Sequence, residues 1–262
     1  MILATDFKCF VKILFSVCLL FFQRASIFAQ NQKVADSLVK IYQKNKLENS
    51  EKLELLRNLS FNEVNNLELS LKYADELIAL SKLEKNYLYL HRGYYQKGNK
   101  NRLIGDLNKA LNDFFKSAEA ASKAKFITGK GVAYMSIADV YSIMGNANNA
   151  EVYYTKSIDL LRKTKDSIAL ASALLNAGDE YSKNKKFNLA LKHFEEASVI
   201  FDKTNYLIGT GYTLGNIGMV YTKQGDNELG KIYITKAIKI LEKLKDFYAM
   251  SEYLLYMSDI YL

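Results

Sequence analysis

The chain has 262 residues, of which 49% are hydrophobic and 24% charged, with a formal net charge of +8. At roughly 100–200 residues per domain this allows one or two globular domains or one long repeat array, and the balance of apolar and charged residues excludes a disordered chain. Proline is absent, which excludes proline-rich linkers and polyproline segments, while 19 Tyr and 14 Phe supply aromatic volume.

The first element is a leader. Lys8 and Lys12 precede Ile13 to Phe22, a run that is apolar except for Ser16, and Ala29 supplies a small residue after Arg24. A positive front, about 7–15 apolar residues and a small residue at the cut describe a secretory signal peptide. Residues 1–29 are therefore read as a signal peptide cleaved after Ala29. The run is too short for an uncleaved anchor, which needs about 20 apolar residues. Cys18 lies inside the run and not at the cut, which argues against a lipoprotein. Cys9 and Cys18 are the only cysteines, so the chain beyond the leader has no disulfide, thiolate ligand or cysteine nucleophile. The leader implies export, to the periplasm or the extracytoplasmic face of the inner membrane. The basic residues are interspersed with carboxylates, and Lys183, Lys185 and Lys186 read as one solvated turn, so no nucleic-acid partner is expected.

Residues 30–50 are expected to form a capping helix with Val34, Leu38, Ile41 and Tyr42 on one face. Over residues 51–262 the sequence repeats every 40 residues without a gap. Ala138 to Tyr141 aligns with Gly178 to Tyr181, Gly218 to Tyr221 and Ser258 to Tyr261. Ala150, Ala190 and Gly230 recur at the same interval, as do Tyr154, Phe194 and Ile234. Units start near 51, 91, 131, 171, 211 and 251, the last incomplete. Each unit reads as two helices. Gly145 or Gly225 stops the first helix with a positive φ, and Asn146 or Asp226 caps the second. The unit starting at 171 has Lys185 and Lys186 there, and Asn184 is expected to take the left-handed conformation instead. The small residues at 138, 178 and 218 are expected to face those at 150, 190 and 230 where the helices cross. Tyr141, Tyr181 and Tyr221 are expected to fill the gaps between units.

The motif small–x–x–Tyr, Gly-Asn or Gly-Asp, Ala–x–x–x–aromatic–x–x–Ala resembles the tetratricopeptide repeat family. The resemblance implies an all-α fold, a right-handed α-solenoid of helix-turn-helix units. The usual period is about 34 residues, so units of 40 imply longer helices. It also implies that the first helix of each unit lines a concave surface. The concave positions are then Met135, Ser136, Asp139 and Ser142; Asn176, Asp179 and Ser182; Asn216, Met219 and Thr222; and Asp259. They describe either an acidic, amide-bearing groove for a peptide, a protein or a small polar ligand, or a solvated face that recurs because the units duplicated. The cation pattern with which some family members hold a C-terminal carboxylate is missing there.

No catalytic constellation, cofactor site or metal site is found. Gly209 to Gly215 looks like a glycine-rich phosphate loop, but such a loop follows a strand, and these glycines fall in a repeat helix. His91 and His193 are the only histidines and read as surface or boundary residues. The sixth unit stops after its first helix, which leads to the expectation of a longer protein with a membrane-embedded continuation. Exported arrays of this kind, with a leader ending Phe28-Ala29-Gln30, resemble the N-terminal sensory arrays of Bacteroidetes-type adenylate/guanylate cyclases. That resemblance implies a signalling output beyond residue 262. The N-terminal region of a sensor histidine kinase and a free-standing exported scaffold are the alternatives.

Overall fold

The computed structural model describes residues 31–44 and 47–260. The leader, residues 1–29, lies outside the described residues. Among the described residues there are twelve helices and no strand: α1 (Gln32–Lys44), α2 (Asn49–Asn62), α3 (Leu67–Leu83), α4 (Tyr87–Leu103), α5 (Leu107–Lys123), α6 (Ile127–Ile143), α7 (Ala147–Leu161), α8 (Ser167–Lys183), α9 (Phe187–Lys203), α10 (Leu207–Lys223), α11 (Asn227–Leu244) and α12 (Phe247–Ile260). The helices that open the units from α4 onward start at Tyr87, Ile127, Ser167, Leu207 and Phe247, and those that close them start at Leu67, Leu107, Ala147, Phe187 and Asn227. Both series advance by 40, so the sequence period is the structural period of an α-solenoid.

Local chemistry sets the helix ends. Gly105, Gly145 and Gly225 hold φ of +82°, +73° and +88° after the first helix of their units. Asn146 Oδ1 accepts from the Asn149 N–H at 3.2 Å and Asp226 Oδ1 from the Leu229 N–H at 3.0 Å, as N-caps do. In the unit starting at 171 the left-handed residue is Lys185, at φ +58°, and Asn184 stays at −85°. The expectation for Asn184 is corrected by register. Lys185 N–H still bonds to the Ser182 carbonyl and Lys186 N–H to the Tyr181 carbonyl, as Gly145 and Asn146 do to Ser142 and Tyr141. The turn keeps its place in the period even though a left-handed lysine costs roughly 1–2 kcal/mol.

The core is a column of repeated positions. Ala110, Ala150 and Ala190 are fully buried, and so are Phe114, Phe194 and Ile234. Small meets small as the sequence implied: a Cβ on Gly218 would lie 2.9 Å from the Gly230 carbonyl oxygen. The repeated tyrosines are corrected. Tyr141, Tyr181 and Tyr221 are only partly buried. Tyr141 stacks on Tyr153 and Tyr221 on Tyr233, both on the second helix of the same unit, and Tyr181 packs on His193 in the same way. They clamp the outer rim of a unit; the space-filling anchors are Phe114, Tyr154, Phe194 and Ile234 one helix further on.

The backbones of consecutive first helices (α2, α4, α6, α8, α10, α12) approach one another, whereas among the described residues consecutive second helices meet only through side chains, as Phe115 and Tyr153 do. The first helices therefore form the inner layer of the solenoid, and the surface they line is the inner surface.

Candidate functional site

Two cavities open on this inner layer. The C-terminal one is a groove of about 410 Å³ across α8, α10 and α12. Its floor rests on an exchange of sizes. Tyr253 stands at the register where Gly93, Ala133, Ala173 and Thr213 stand in the four preceding units and Leu53 in the first, and Gly215 stands where earlier units have Leu55, Tyr95, Met135 and Leu175. The Tyr253 ring fills the notch, since a Cβ on Gly215 would meet its Cζ at 2.1 Å. The Tyr253 hydroxyl lies 3.1 Å from both the Tyr212 carbonyl oxygen and Asn216 Oδ1. The other glycines of the 209–215 stretch serve the same purpose: Gly209 admits Phe201 and Gly211 admits Leu241 within α10.

Of the sequence-derived concave residues, Asn176, Asp179, Asn216 and Met219 line this groove. Asp179 pairs with Lys183 at 2.6 Å, and Glu252 comes in from α12, its carboxyl held above the usual range by burial and then by Asp179. Lys183 and Lys223 oppose that rise, so the groove has mixed charge rather than being plainly acidic. Tyr212 and the exposed Tyr248 complete the wall.

The remaining concave residues hold the solenoid together. Asp139 accepts from the Tyr154 hydroxyl at 2.7 Å, from Asn176 Nδ2 at 3.1 Å and from Arg102 at 3.3 Å, which joins three successive units. Burial raises its carboxyl against those three partners. Asp139 and Asp179 thus lie on one line but not in one site. Ser142 donates to Glu180 of the next unit, and Ser182 receives Lys223 at 3.3 Å. Ser136 is buried against the Tyr95 hydroxyl, Met135 packs into the inter-unit core and Thr222 back-bonds to the Gly218 carbonyl. Asp259 belongs to α12, and its side chain lies outside the described residues.

The second cavity, of about 640 Å³, lies between α2 and α4 and reaches Ile143 of α6. Sequence reasoning missed it. Arg57, Arg92, Lys100 and Arg102 line it without a carboxylate among the lining residues, and Phe61 and Tyr95 give it an apolar wall. His91, expected at a surface or boundary, is buried here. Burial pushes its imidazole down to about 4, so it is neutral near pH 7, with Nδ1 2.8 Å from the Ser117 hydroxyl. The signal was present in the repeat. Lys100 is a cation in a register that elsewhere holds Ser60, Val140, Glu180 and Val220, all of them buried.

Among the described residues no helix is long and apolar enough to cross a membrane. The tetratricopeptide repeat family matches over residues 131–203 and again over residues 212–244. No curated protein matches the sequence. Among solved structures the chain is similar to BtubC from P. vanneervenii, at TM-score 0.68 and 14% identity over 81% of this chain and 89% of that one. It is also similar to a Signal Transduction ATPase with Numerous Domains from Pyrococcus horikoshii that carries a tetratricopeptide repeat sensor (TM-score 0.70, 15% identity, 85% of this chain and 35% of that one). A third likeness is to a Rap protein complexed with Competence and Sporulation Factor, at TM-score 0.70 and 13% identity over 87% and 68% of the two chains. Repeat period, turn geometry and these likenesses agree: the chain is an α-solenoid that carries tetratricopeptide repeats over residues 131–203 and 212–244.

Proposed function

We propose that this chain is an exported protein–protein interaction module, the extracytoplasmic sensory part of a membrane signalling protein, and that it holds a peptide or protein segment in the groove of α8, α10 and α12. The observation that carries the reading is the groove itself. Rigid helices of the inner layer present amide groups, paired charges and an exposed aromatic ring, Tyr248, along one channel. Such a mixture suits an extended chain, whose backbone needs polar partners and whose side chains need an apolar platform. Two of the similar structures support it: one is a repeat sensor within a larger signalling ATPase, the other is in complex with a factor. Export rests on the pattern of residues 1–29. The output rests on the resemblance to arrays that precede adenylate/guanylate cyclase domains. A bound segment acts by favouring one curvature of the solenoid over another, a shift of population that the continuous inner layer transmits.

The test places a photo-crosslinking residue at Tyr248 in the groove and, in a second variant, at Val199 on the second-helix layer, 52% exposed. A discrete protein adduct from position 248 alone is the expected result. Equal, diffuse labelling from both positions overturns the groove as the binding surface. Fusing residues 1–29 to an alkaline phosphatase without its own leader checks export, since that reporter is active only outside the cytoplasm.

A further inference from the structure

We infer that the cavity between α2 and α4 is a binding site for a small phosphomonoester that carries an apolar ring and at least one hydrogen-bond donor. It is separate from the groove proposed above. Charge is the first argument. Arg57 is neutralised by Glu54 and Arg102 by Asp139. Arg92 only approaches Glu54, at 3.8 Å. Lys100 is 5% exposed, and its Nζ donates to the Glu63 backbone carbonyl at 3.2 Å. Among the described residues no carboxylate reaches ion-pair distance of it, and burial lowers its ammonium against the field of Glu63. Two cations thus face the cavity without a full counter-charge, which matches a phosphomonoester of about −1.5 to −2 and the fork and point-charge donors that hold one.

The second argument is independent of charge. Ser60 Oγ and Gln96 Oε1 are buried without a hydrogen-bond partner, and both residues line the cavity. Buried polar atoms are almost always satisfied, and an exception calls for a reason. A ligand hydroxyl or amide N–H supplies it. The third argument is shape. Phe61 and Tyr95 offer a wall for a ring, and about 640 Å³ is within the range of small-molecule sites.

The test is calorimetric titration of the whole chain with phenyl phosphate, with phthalate as a dicarboxylate of similar size and charge, and with phenol as the neutral ring. Saturable one-to-one binding of phenyl phosphate is expected, with phthalate and phenol at least about tenfold weaker. Lys100→Met and Arg92→Gln each weaken it about tenfold or more, whereas Lys183→Met in the other groove leaves it unchanged. Arg92 is partly exposed, so its variant remains informative if Lys100→Met alters the fold. Absence of saturable heat up to about 10 mM, phthalate binding as tightly as phenyl phosphate, or unchanged affinity in both variants overturns the site.

Discussion

The two ends of the inner layer are built on the same registers of the same repeat, yet they solve opposite problems. At the C-terminal end the unusual residues compensate each other: Tyr253 is large where the four preceding units have Gly, Ala, Ala and Thr, and Gly215 is small where earlier units have a large side chain. The volume balances, and the Tyr253 hydroxyl keeps a polar partner in Asn216. At the N-terminal end Lys100 is a buried cation where other units carry Ser60, Val140, Glu180 and Val220, and the Oε1 of Gln96 is left without a hydrogen-bond partner. One end departs from the repeat in shape and the other in polarity. A departure in shape preserves packing and makes a surface; an unbalanced departure in polarity makes a cavity with unsatisfied donors and acceptors.

The largest expected effect breaks the C-terminal compensation. Tyr253→Ala leaves a ring-sized cavity and costs about 3–5 kcal/mol by denaturant unfolding. Gly215→Leu restores the side chain of other units but drives it into the ring, which costs roughly 1–3 kcal/mol or more. The double variant returns both positions toward the repeat and is destabilised by at least about 1 kcal/mol less than the sum of the two. Additive losses would show that the two residues do not compensate each other.

The next effect belongs to the N-terminal end and is read through pH. His91 has its pKa pushed down from 6.5 to about 4 by burial, opposed by its bond to Ser117. Between those values the unfolded chain binds a proton that the folded chain does not. Stability from this group is therefore complete above about pH 6.5 and is lost as the pH falls toward 4, by roughly 2–3 kcal/mol. His91→Gln is expected to flatten the urea midpoint between pH 6.5 and 4.5 relative to the parent chain. A variant whose midpoint falls as steeply as the parent's would place the acid sensitivity elsewhere.

Much of the fold was legible because a period of 40 carries its own checks. Gly145 and Asn146 mark a turn, Ala150 and Tyr154 a buried face, and the same offsets hold at each later unit. What the period could not convey was which large residue goes inside. Tyr141 and Tyr154 are both conspicuous, but only Tyr154 points into the column, because helix rotation and not spacing decides it. The same limit governs the site. Asp139 and Asp179 are equivalent in register, yet Asp139 meets Arg102, Tyr154 and Asn176 of three units while Asp179 pairs with Lys183 of its own helix and faces Glu252 across the groove. The residues opposite Asp139 differ from those opposite Asp179, and a single repeat read alone does not reveal its neighbours. Lys100 was legible in principle, as a cation in the register of Ser60, Val140, Glu180 and Val220, once burial of that register is known.

The smallest effects follow from that register and have the opposite sign to an ordinary core substitution. Lys100→Met keeps the length of the side chain and removes a buried ammonium whose hydrogen-bond partner is one carbonyl. It is expected to raise stability by roughly 1 kcal/mol, because desolvation exceeds what the single bond returns. Ser60→Ala removes a hydroxyl that is fully buried and unpartnered, and is expected to be neutral or stabilising by up to about 1 kcal/mol. Thr213→Val is the matched control at the other end of the layer. Its hydroxyl is equally buried but donates to the Gly209 carbonyl at 2.7 Å, so its loss is expected to destabilise by about 1 kcal/mol. Midpoints that move up in the first two variants and down in the third would separate a polar group kept for a ligand from one kept for the fold. If all three fall, the polar floor of the N-terminal cavity is structural, and its departure from the repeat is compensated inside the protein as Tyr253 is by Gly215.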